Sequence, residues 1–347
     1  MTDVARLAER PDVVDEHVYL TAFLKPLEKW LRHERVAEIF VNRPGEFWVE
    51  VAGGAMQRVS SPDITDQHIQ RLAAQIARFN RQAINREHPV LAASLPGGER
   101  VQIVGPPATR RHWAMAIRRP VVSHLSLSDF SGGDDFGKVA LADERRLSAR
   151  DAALLKLLRA RRIPEFLDFA VKVKKTILIS GGTSTGKTSL LNSLLKSVPA
   201  HERLITVEDT AEMTLEHENS VGLIAVKGDL GEARIGVDDL LNASLRLRPD
   251  RIILGELRGR EAVTFLRAIN TGHPGSITTI HADSPHGAFE QIALMALQAG
   301  MPLTRLETID YVRSIIDIAV HVVREGGARR IAEIMFTPQG GENSAQS

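Results

Sequence analysis

The sequence predicts an α/β protein of two parts, in which a smaller α+β domain precedes a domain built on a mostly parallel sheet. After residue 176, short apolar strands alternate with helices, and this order is typical of a parallel sheet covered on both faces. Before residue 120, two hairpins predict an antiparallel sheet instead. The length of 347 residues also favours two domains, because one domain takes roughly 150 residues.

The N-terminal part of the chain predicts a small α+β domain, which we place at residues 1–122. Apolar side chains recur at helical spacing in residues 17–33 and indicate an amphipathic helix. Alternating apolar residues flank turn sequences at 43–46 and 96–99, as is typical of β-hairpins. A further strand at 113–117 completes the predicted antiparallel sheet.

The apolar periodicity stops after residue 122, where serine, glycine and aspartate become frequent. We interpret residues 123–150 as an interdomain linker, because this composition is typical of loops. Alternating strands and helices then predict a second domain at 151–337, followed by a polar tail at 338–347. The predicted strands are 176–180, 204–208, 223–226, 252–254, 277–280, 318–323 and 330–336, and the predicted helices are 188–197, 237–247, 260–269 and 285–298.

The composition excludes several classes of protein. Lys and Arg total 44 against 43 Asp and Glu, so the net charge does not predict a basic nucleic-acid-binding domain. The lack of cysteine excludes a disulfide scaffold and a cysteine-ligated zinc module. No run of about 18 apolar residues predicts a membrane span, and the charged N-terminus lacks the apolar core of a signal peptide. We therefore expect a cytosolic protein, or one that touches membranes from outside.

Residues 181–188, GGTSTGKT, match the phosphate-binding pattern G-x-x-x-x-G-K-[ST] between a predicted strand and a predicted helix. Such a loop turns its backbone N–H groups inward, and the helix N-terminus adds partial positive charge, so together they bind anions. We expect Lys187 to reach the β- and γ-phosphates of ATP and the Thr188 hydroxyl to bind Mg²⁺. The alternative is a glycine-rich turn with a solvated lysine. The predicted nucleotide-binding residues of this segment are Gly181, Gly182, Thr183, Ser184, Thr185, Gly186, Lys187, Thr188 and Ser189.

Two acidic residues follow apolar strands of the second domain. Glu208 ends the predicted strand 204–208, and Glu256 comes soon after the predicted strand 252–254. The carboxyl ends of parallel strands meet at one edge of the sheet, so we expect both carboxylates near the phosphates. We predict that Glu208 holds Mg²⁺ through a water and that Glu256 polarises the attacking water. Each could instead be a helix N-cap or a solvated strand end.

Two histidines flank the predicted strand 277–280. His281 follows the strand and is a candidate catalytic residue that senses the γ-phosphate, whereas His273 precedes it and is a weaker candidate. The alternative is that both are hydrogen-bonded structural residues. Zinc binding is a weaker interpretation, because no third or fourth ligand stands at a suitable spacing.

Arginines form the last group of candidates. Arg118 and Arg119 end the first domain, and Arg246 and Arg248 follow one another before Pro249. A guanidinium suits phosphate oxygens, and in oligomeric nucleoside triphosphatases one subunit often lends an arginine to its neighbour's site. The alternatives are a solvated surface and charges that face a helix dipole.

Four segments, in their order and spacing, resemble the motifs of the secretion ATPase superfamily. Residues 181–188 are similar to its Walker A box, 205–212 (ITVEDTAE) to its aspartate box, 245–258 (LRLRPDRIILGELR) to its atypical Walker B box and 272–282 (GHPGSITTIHA) to its histidine box. Residues 95–103 also resemble this family, whose N-domain arginines approach the nucleotide; this implies such a role for Arg118 and Arg119.

The resemblance implies a RecA-like P-loop NTPase motor domain after the α+β domain. Without a tetracysteine zinc insertion, the layout is most similar to the traffic ATPase of bacterial type IV secretion systems. That implies a homohexamer that hydrolyses ATP with Mg²⁺ and powers export or pilus assembly. It also implies a location at the cytoplasmic face of the inner membrane, where other secretion-machine ATPases and inner-membrane components would be its partners.

Three other functions remain open at the level of sequence. A type IV pilus retraction or assembly motor shares every catalytic box. A RecA-like nucleic-acid translocase also has a P-loop on a parallel sheet, although the chain shows no basic groove interleaved with aromatic residues. A small-molecule kinase would be a monomer that transfers phosphate to an acceptor other than water.

Overall fold

The computed structural model describes residues 16–120, 147–226 and 231–338. These fall into two compact units, the first made of 16–120 with 231–234 and the second of 147–226 with 235–338. Most of the predicted linker 123–150 and nearly all of the predicted tail 338–347 lie outside the described residues. No helix in the described part of the chain is both long and apolar enough to span a bilayer.

The first unit is built on a six-stranded antiparallel sheet with the strand order β3-β2-β1-β6-β5-β4. Three α-helices accompany the sheet, and Thr65 caps the start of α3, since its hydroxyl accepts the His68 N–H. The buried core joins Leu20 of α1 and Leu72 of α3 to Ile39 and Val49 of the sheet. Its elements are α1 (Glu16–Leu24), α2 (Glu28–Leu31), β1 (Val36–Val41), β2 (Gly45–Val51), β3 (Gln57–Ser61), α3 (Asp66–Phe79), β4 (Val90–Ser94), β5 (Arg100–Val104) and β6 (Ala114–Arg118).

The second unit is built on a seven-stranded sheet in the order β13-β12-β7-β11-β10-β8-β9. All neighbours pair parallel except β12 and β13, which form an antiparallel hairpin at one side of the sheet. Its elements are α4 (Ala149–Arg159), α5 (Ile163–Lys172), β7 (Ile177–Ser180), α6 (Lys187–Leu195), β8 (Leu204–Glu208), β9 (Ser220–Ile224), α7 (Val237–Arg246), β10 (Arg251–Leu257), α8 (Glu261–Asn270), β11 (Ile277–Ile280), α9 (Pro285–Gln298), α10 (Arg305–Ile315), β12 (Ile318–Glu325) and β13 (Ala328–Phe336).

The strand β7 is an interior strand of this sheet, third in the order, and its register brings the functional segments together. Ser180 at its carboxyl end pairs with Ile280 of β11 on one side and with His321 of β12 on the other. All four residues of β7 are buried, as in parallel sheets covered on both faces. We call the side of the sheet where β7, β11, β10 and β8 end its carboxyl edge, and the opposite side its amino edge.

The fold class predicted from the sequence is confirmed, and three details differ. The strand β3 was not predicted, because its sequence QRVSS is polar and lies at the edge of the sheet. The helix α10 was missed too, although Thr304 and Glu307 form a capping box at its start. The strand β10 continues to Leu257, so Glu256 lies inside the strand and not after it.

Candidate functional site

The P-loop (residues 181–188) leaves the carboxyl end of β7 and leads into α6. Gly186 precedes that helix with φ +102°, and Ser184 has φ +59°. Both values lie in the left-handed region that glycine adopts most readily. A Cβ on Gly181 would stand 2.5 Å from Thr185 Oγ1 and 2.6 Å from the Val322 carbonyl oxygen. The glycines are therefore required by the path of the loop and by its close contact with β12.

Lys187 begins α6 and is buried. Its Nζ donates to the carbonyl oxygens of Gly181 at 2.9 Å and Gly182 at 3.0 Å, and lies 3.4 Å from His281 Nδ1. Burial lowers the pKa of Lys187, and the charge of Glu256 opposes that effect only in part. The ammonium is thus held by the loop's own backbone at the point where the sheet ends.

Glu208 ends β8, and its carboxylate accepts hydrogen bonds from the loop that follows the strand. Its Oε1 accepts the backbone N–H groups of Glu212 at 2.9 Å and Met213 at 2.8 Å. Thr188 Oγ1 in turn donates to Glu212 Oε2 at 3.1 Å. The predicted metal ligands Thr188 and Glu208 are therefore linked through Glu212, a residue without a predicted role.

Glu256 and His281 meet beside Lys187. His281 Nε2 lies 2.9 Å from Glu256 Oε1, while Glu256 Oε2 accepts from Arg258 Nε at 3.1 Å and Nη2 at 2.8 Å. Arg258 Nη1 also donates to Asp209 Oδ2 at 3.0 Å, and its hydrogen bond to Glu256 raises the pKa of this guanidinium. Arg258 therefore fixes Glu256 through Oε2, whereas Oε1 accepts no hydrogen bond from the described residues and lies beside His281.

These side chains line a cleft of about 450 Å³ at the carboxyl edge of the second unit. The predicted residues in its wall run from Gly182 to Ser189 and include Glu208, Glu256 and His281. Four further charged residues of the wall had no predicted role, although three of them stand inside the aspartate and Walker B boxes: Asp209, Glu212, Arg258 and Arg329.

The chemistry of the cleft fits Mg²⁺ only together with phosphate. Within the ranges that the structure describes, no group of three or more His, Cys, Asp or Glu side chains could hold a metal. Thr188, Glu208 and Glu212 nevertheless present the hard oxygen atoms that Mg²⁺ prefers, and this ion is usually bound by one or two carboxylates with substrate phosphates and water.

The predicted arginines do not line the cleft. Arg248, at φ +56°, ion-pairs with Asp250 at 2.8 Å at the amino edge of the sheet. In the first unit, Arg118 is mostly exposed and lies 3.4 Å from Glu38. Arg119 donates to the carbonyl oxygens of His33 and Val36, so its guanidinium ties its own unit together.

His273 also lies away from the cleft. Its Nδ1 is 2.8 Å from the Ala268 carbonyl oxygen at the end of α8. Of the two histidines singled out in the sequence, the structure brings only His281 to the P-loop.

Comparison with known proteins agrees with the fold. Residues 22–325 match the family described as "Type II/IV secretion system protein". The chain is 39% identical over 347 residues to the type IV secretion system protein PtlH of Bordetella pertussis, covering 97% of this chain and 98% of the relative. It is 35% identical over 328 residues to VirB11 of Bartonella henselae, covering 91% and 92%.

A solved structure is also similar. The crystal structure described as the VirB11 ATPase from the Brucella suis type IV secretion system in complex with sulphate superposes with a TM-score of 0.85 at 35% identity, covering 92% of this chain and 98% of that one. Fold, P-loop and cleft define a P-loop ATPase. The chain belongs to the Type II/IV secretion system protein family, which confirms the resemblance drawn from its four boxes.

Proposed function

We propose that this ATPase binds Mg·ATP in the cleft, with the phosphates on the P-loop. The observation that carries the proposal is the environment of Lys187. Its buried ammonium donates to two neutral backbone carbonyl oxygens, and it lies at the carboxyl edge with Glu208, Glu256 and His281. Phosphate oxygens are stronger partners for an ammonium than neutral carbonyls. The nucleotide-binding residues are Gly181, Gly182, Thr183, Ser184, Thr185, Gly186, Lys187, Thr188 and Ser189.

Mg²⁺ would be held by Thr188 and, through a water, by Glu208, and would neutralise charge on the β- and γ-phosphates. The linked positions of Thr188, Glu212 and Glu208 support this assignment. Thr188 must exchange Glu212 for the metal, since its hydroxyl donates to that carboxylate. We expect Glu212 to keep contact with the metal's water shell.

Glu256 is proposed to orient and deprotonate the attacking water. Its Oε2 is held by Arg258, whereas Oε1 lies beside His281 and accepts no hydrogen bond from any residue that the structure describes, so Oε1 is the oxygen proposed to act on the water. His281 lies between Oε1 and Lys187 Nζ, which suits a residue that senses the γ-phosphate. Loss of that phosphate removes an anion from beside the imidazole, and the contact of His281 with Glu256 Oε1 passes this change to the carboxylate.

At the level of the cell, we propose a homohexamer that couples ATP hydrolysis to domain motion and powers substrate export or pilus assembly in a bacterial type IV secretion system. The relatives named type IV secretion system proteins support this assignment over a pilus retraction motor. Association with the cytoplasmic face of the inner membrane, and with other ATPases and inner-membrane components of the machine, belongs to the same proposal.

Arginines from outside the cleft would complete the site. Arg248 would come from a neighbouring subunit, and Arg118 or Arg119 from an N-terminal unit. The place of Arg248 at the amino edge supports donation to another subunit, because it lies at the opposite end of β10 from Glu256. The exposure of Arg118 makes it the better placed of the two N-terminal residues.

The catalytic assignment is tested with Glu256→Gln. Removal of the charge should slow hydrolysis by about 10²–10⁴-fold, since general base catalysis contributes that much, while ATP stays bound in an assembled ring. ATP retention is measured by filtration, and ring size by light scattering with and without ATP and Mg²⁺. If the variant lost ATP affinity as badly as Lys187→Ala, Glu256 would be reassigned to metal binding.

Donation in trans is tested by mixing two inactive variants. Subunits with Arg248→Ala retain an intact P-loop, and subunits with Lys187→Ala retain Arg248, so mixed rings should regain part of the ATPase activity. Mixed assembly is checked with two affinity tags. Mixed rings without any recovered activity, at every ratio, would exclude Arg248 as a donated residue.

A further inference from the structure

Arg329 of β13 is a cationic residue of the cleft that lies outside the four family boxes. Its Nη1 donates to Ser189 Oγ at 2.9 Å. Its side chain crosses over Gly186, where a Cβ would meet Arg329 Cδ at 2.7 Å and Nε at 3.3 Å. The guanidinium is therefore held against the end of the P-loop and the first turn of α6.

Arg329 approaches the P-loop from the side opposite to the acidic residues. The strand β7 has β11 and β10 on one side, which carry His281 and Glu256, and β12 and β13 on the other. The first turn of α6 divides in the same way, because Thr188 contacts Glu212 whereas Ser189 contacts Arg329. Consecutive helix positions point about 100° apart, which explains the division.

The positive charge of Arg329 is not neutralised by the described residues around it, so it can bind an anion. Its direct cross-strand partner in the β12–β13 hairpin is Arg324, and like charges in that position repel each other. In the described part of the chain, neither arginine forms an ion pair with a carboxylate. The next residue, Arg330, is by contrast neutralised by Glu325 through two hydrogen bonds of 2.9 and 2.7 Å.

We propose that Arg329 binds the α-phosphate of the nucleotide. The inference rests on the proposed phosphate site: the terminal phosphates lie by Lys187, His281 and Glu256, so the chain of phosphates continues away from them. That direction leads to Ser189 and Arg329. A guanidinium fork suits the two free oxygens of an α-phosphate, and the Ser189 hydroxyl already orients it.

The test measures affinity for ADP and for inorganic tripolyphosphate, which offers three linked phosphates without a nucleoside. We expect Arg329→Ala to weaken both about tenfold, which is the loss of one charge-assisted hydrogen bond. Arg329→Lys should recover part of the affinity, because it keeps the charge but not the fork. The KM for ATP should rise more than kcat falls, since the α-phosphate takes no part in the bond cleavage.

Arg330→Ala is the matched control, because it removes a neighbouring arginine whose charge is already paired. The inference is overturned if Arg329→Ala binds ADP as the wild type does, if it loses ADP affinity while tripolyphosphate binding is unchanged, or if Arg330→Ala weakens binding equally. Lys187→Ala separates this result from the proposed site. If Lys187→Ala also left the affinity unchanged, the proposed phosphate site itself would be wrong. If Lys187→Ala weakened binding and Arg329→Ala did not, only the proposed role of Arg329 would be wrong.

Discussion

The two edges of the parallel sheet in the second unit carry charged residues under opposite conditions. At the amino edge, Arg251 is fully buried and donates to Glu202 at 2.5 and 3.1 Å and to the Val171 carbonyl at 2.8 Å. At the carboxyl edge, the Arg258 side chain is 58% exposed, and its partners Glu256 and Asp209 line an open cleft. Ion pairs between arginine and glutamate thus stabilise the fold at the amino edge, whereas those at the carboxyl edge remain accessible to a ligand.

A buried charge must be matched by protein groups, because no water remains to solvate it. Arg203 follows the same pattern as Arg251, with Nε on the Leu247 carbonyl and Nη1 on Asn219 Oδ1 at 2.6 Å. Charges that will meet phosphate need the opposite arrangement, with partners that can be exchanged. Function is therefore expected to be lost first at the carboxyl edge, and stability at the amino edge.

The largest effect is expected from Lys187→Ala at the carboxyl edge. ATP hydrolysis should fall by at least about 10²–10³-fold, as when a charge-stabilising group is removed from a transition state. The fold should survive: burial lowers the pKa of Lys187, so the charged form costs stability in the folded protein. Steady-state ATPase activity and Tm are the two measurements.

Lys196→Ala is its matched control, since Lys196 is an exposed lysine just after the same helix. It should change neither quantity. Turnover near the wild-type rate in Lys187→Ala would contradict the P-loop assignment.

Arg251→Met is expected to give the largest loss of stability. It leaves the buried Glu202 without its main partner, and breaking a buried pair costs about 3–5 kcal/mol. For a unit of this size, Tm should fall by roughly 6–20 °C. Adding Glu202→Leu should restore part of the loss, because two apolar residues can replace a buried pair. An unchanged Tm in Arg251→Met would contradict the assignment of stability to the amino edge.

Arg258→Gln should give a smaller effect, of the opposite kind. Without the two hydrogen bonds to Oε2, the Glu256 carboxylate is poorly oriented, and turnover should fall about 10–100-fold. Tm should hardly change, because the side chain is exposed. Arg260→Gln, an exposed arginine two residues away, is the control for turnover. A large drop in Tm in Arg258→Gln would show that its ion pair with Glu256 stabilises the fold.

The smallest effect concerns pH and the buried carboxyl group of Asp317 at the amino edge. Burial raises its pKa, against the hydrogen bond from the Thr176 N–H and the charge of Lys175. The folded state thus favours the protonated acid, so this contribution to stability is full below the ordinary pKa of 3.8 and is lost as the pH rises through the raised value. Asp317→Asn should consequently lie further below the wild type in Tm at pH 4 than at pH 8.

Asp168→Asn should show the reverse dependence. The hydrogen bond from Lys172 lowers the pKa of Asp168, so its contribution to stability is present above 3.8 and is lost as the pH falls. This variant should be less stable relative to wild type at pH 8 than at pH 4. Equal slopes for the two variants would show that burial of Asp317 does not control its titration.

Most of the fold could be predicted from the sequence because its elements carry strong local signals. The strands β7, β8 and β11 are apolar runs next to glycine-rich or acidic segments, and the P-loop has a fixed pattern. The polar edge strand β3 carries no such periodicity, since only one side of it is paired and little of it is buried. Its presence depends on β2, not on its own residues.

The cleft could be predicted only where single residues follow strands. Glu208, Glu256 and His281 end or nearly end neighbouring parallel strands, so topology alone brings them to the P-loop. Arg329 could not be found in this way, because it lies 140 positions after Ser189 and contacts it only through the pairing of β12 with β7. The role of Glu212 depends on a loop conformation that two backbone hydrogen bonds to Glu208 determine.

The position of β7 between β11 and β12 also has a consequence for synthesis on the ribosome. Ile177 pairs with Ile277 and Ile318, both far downstream, so the strand that carries the P-loop emerges long before its neighbours. At 5–20 residues per second, the chain needs roughly 7–28 s to reach Ile318 after Ile177 has been added. Throughout that interval an apolar strand is without its sheet partners and is a target for chaperones. The antiparallel hairpins of residues 16–120 face no such delay, so the N-terminal strands can pair while the ATPase core is still being translated.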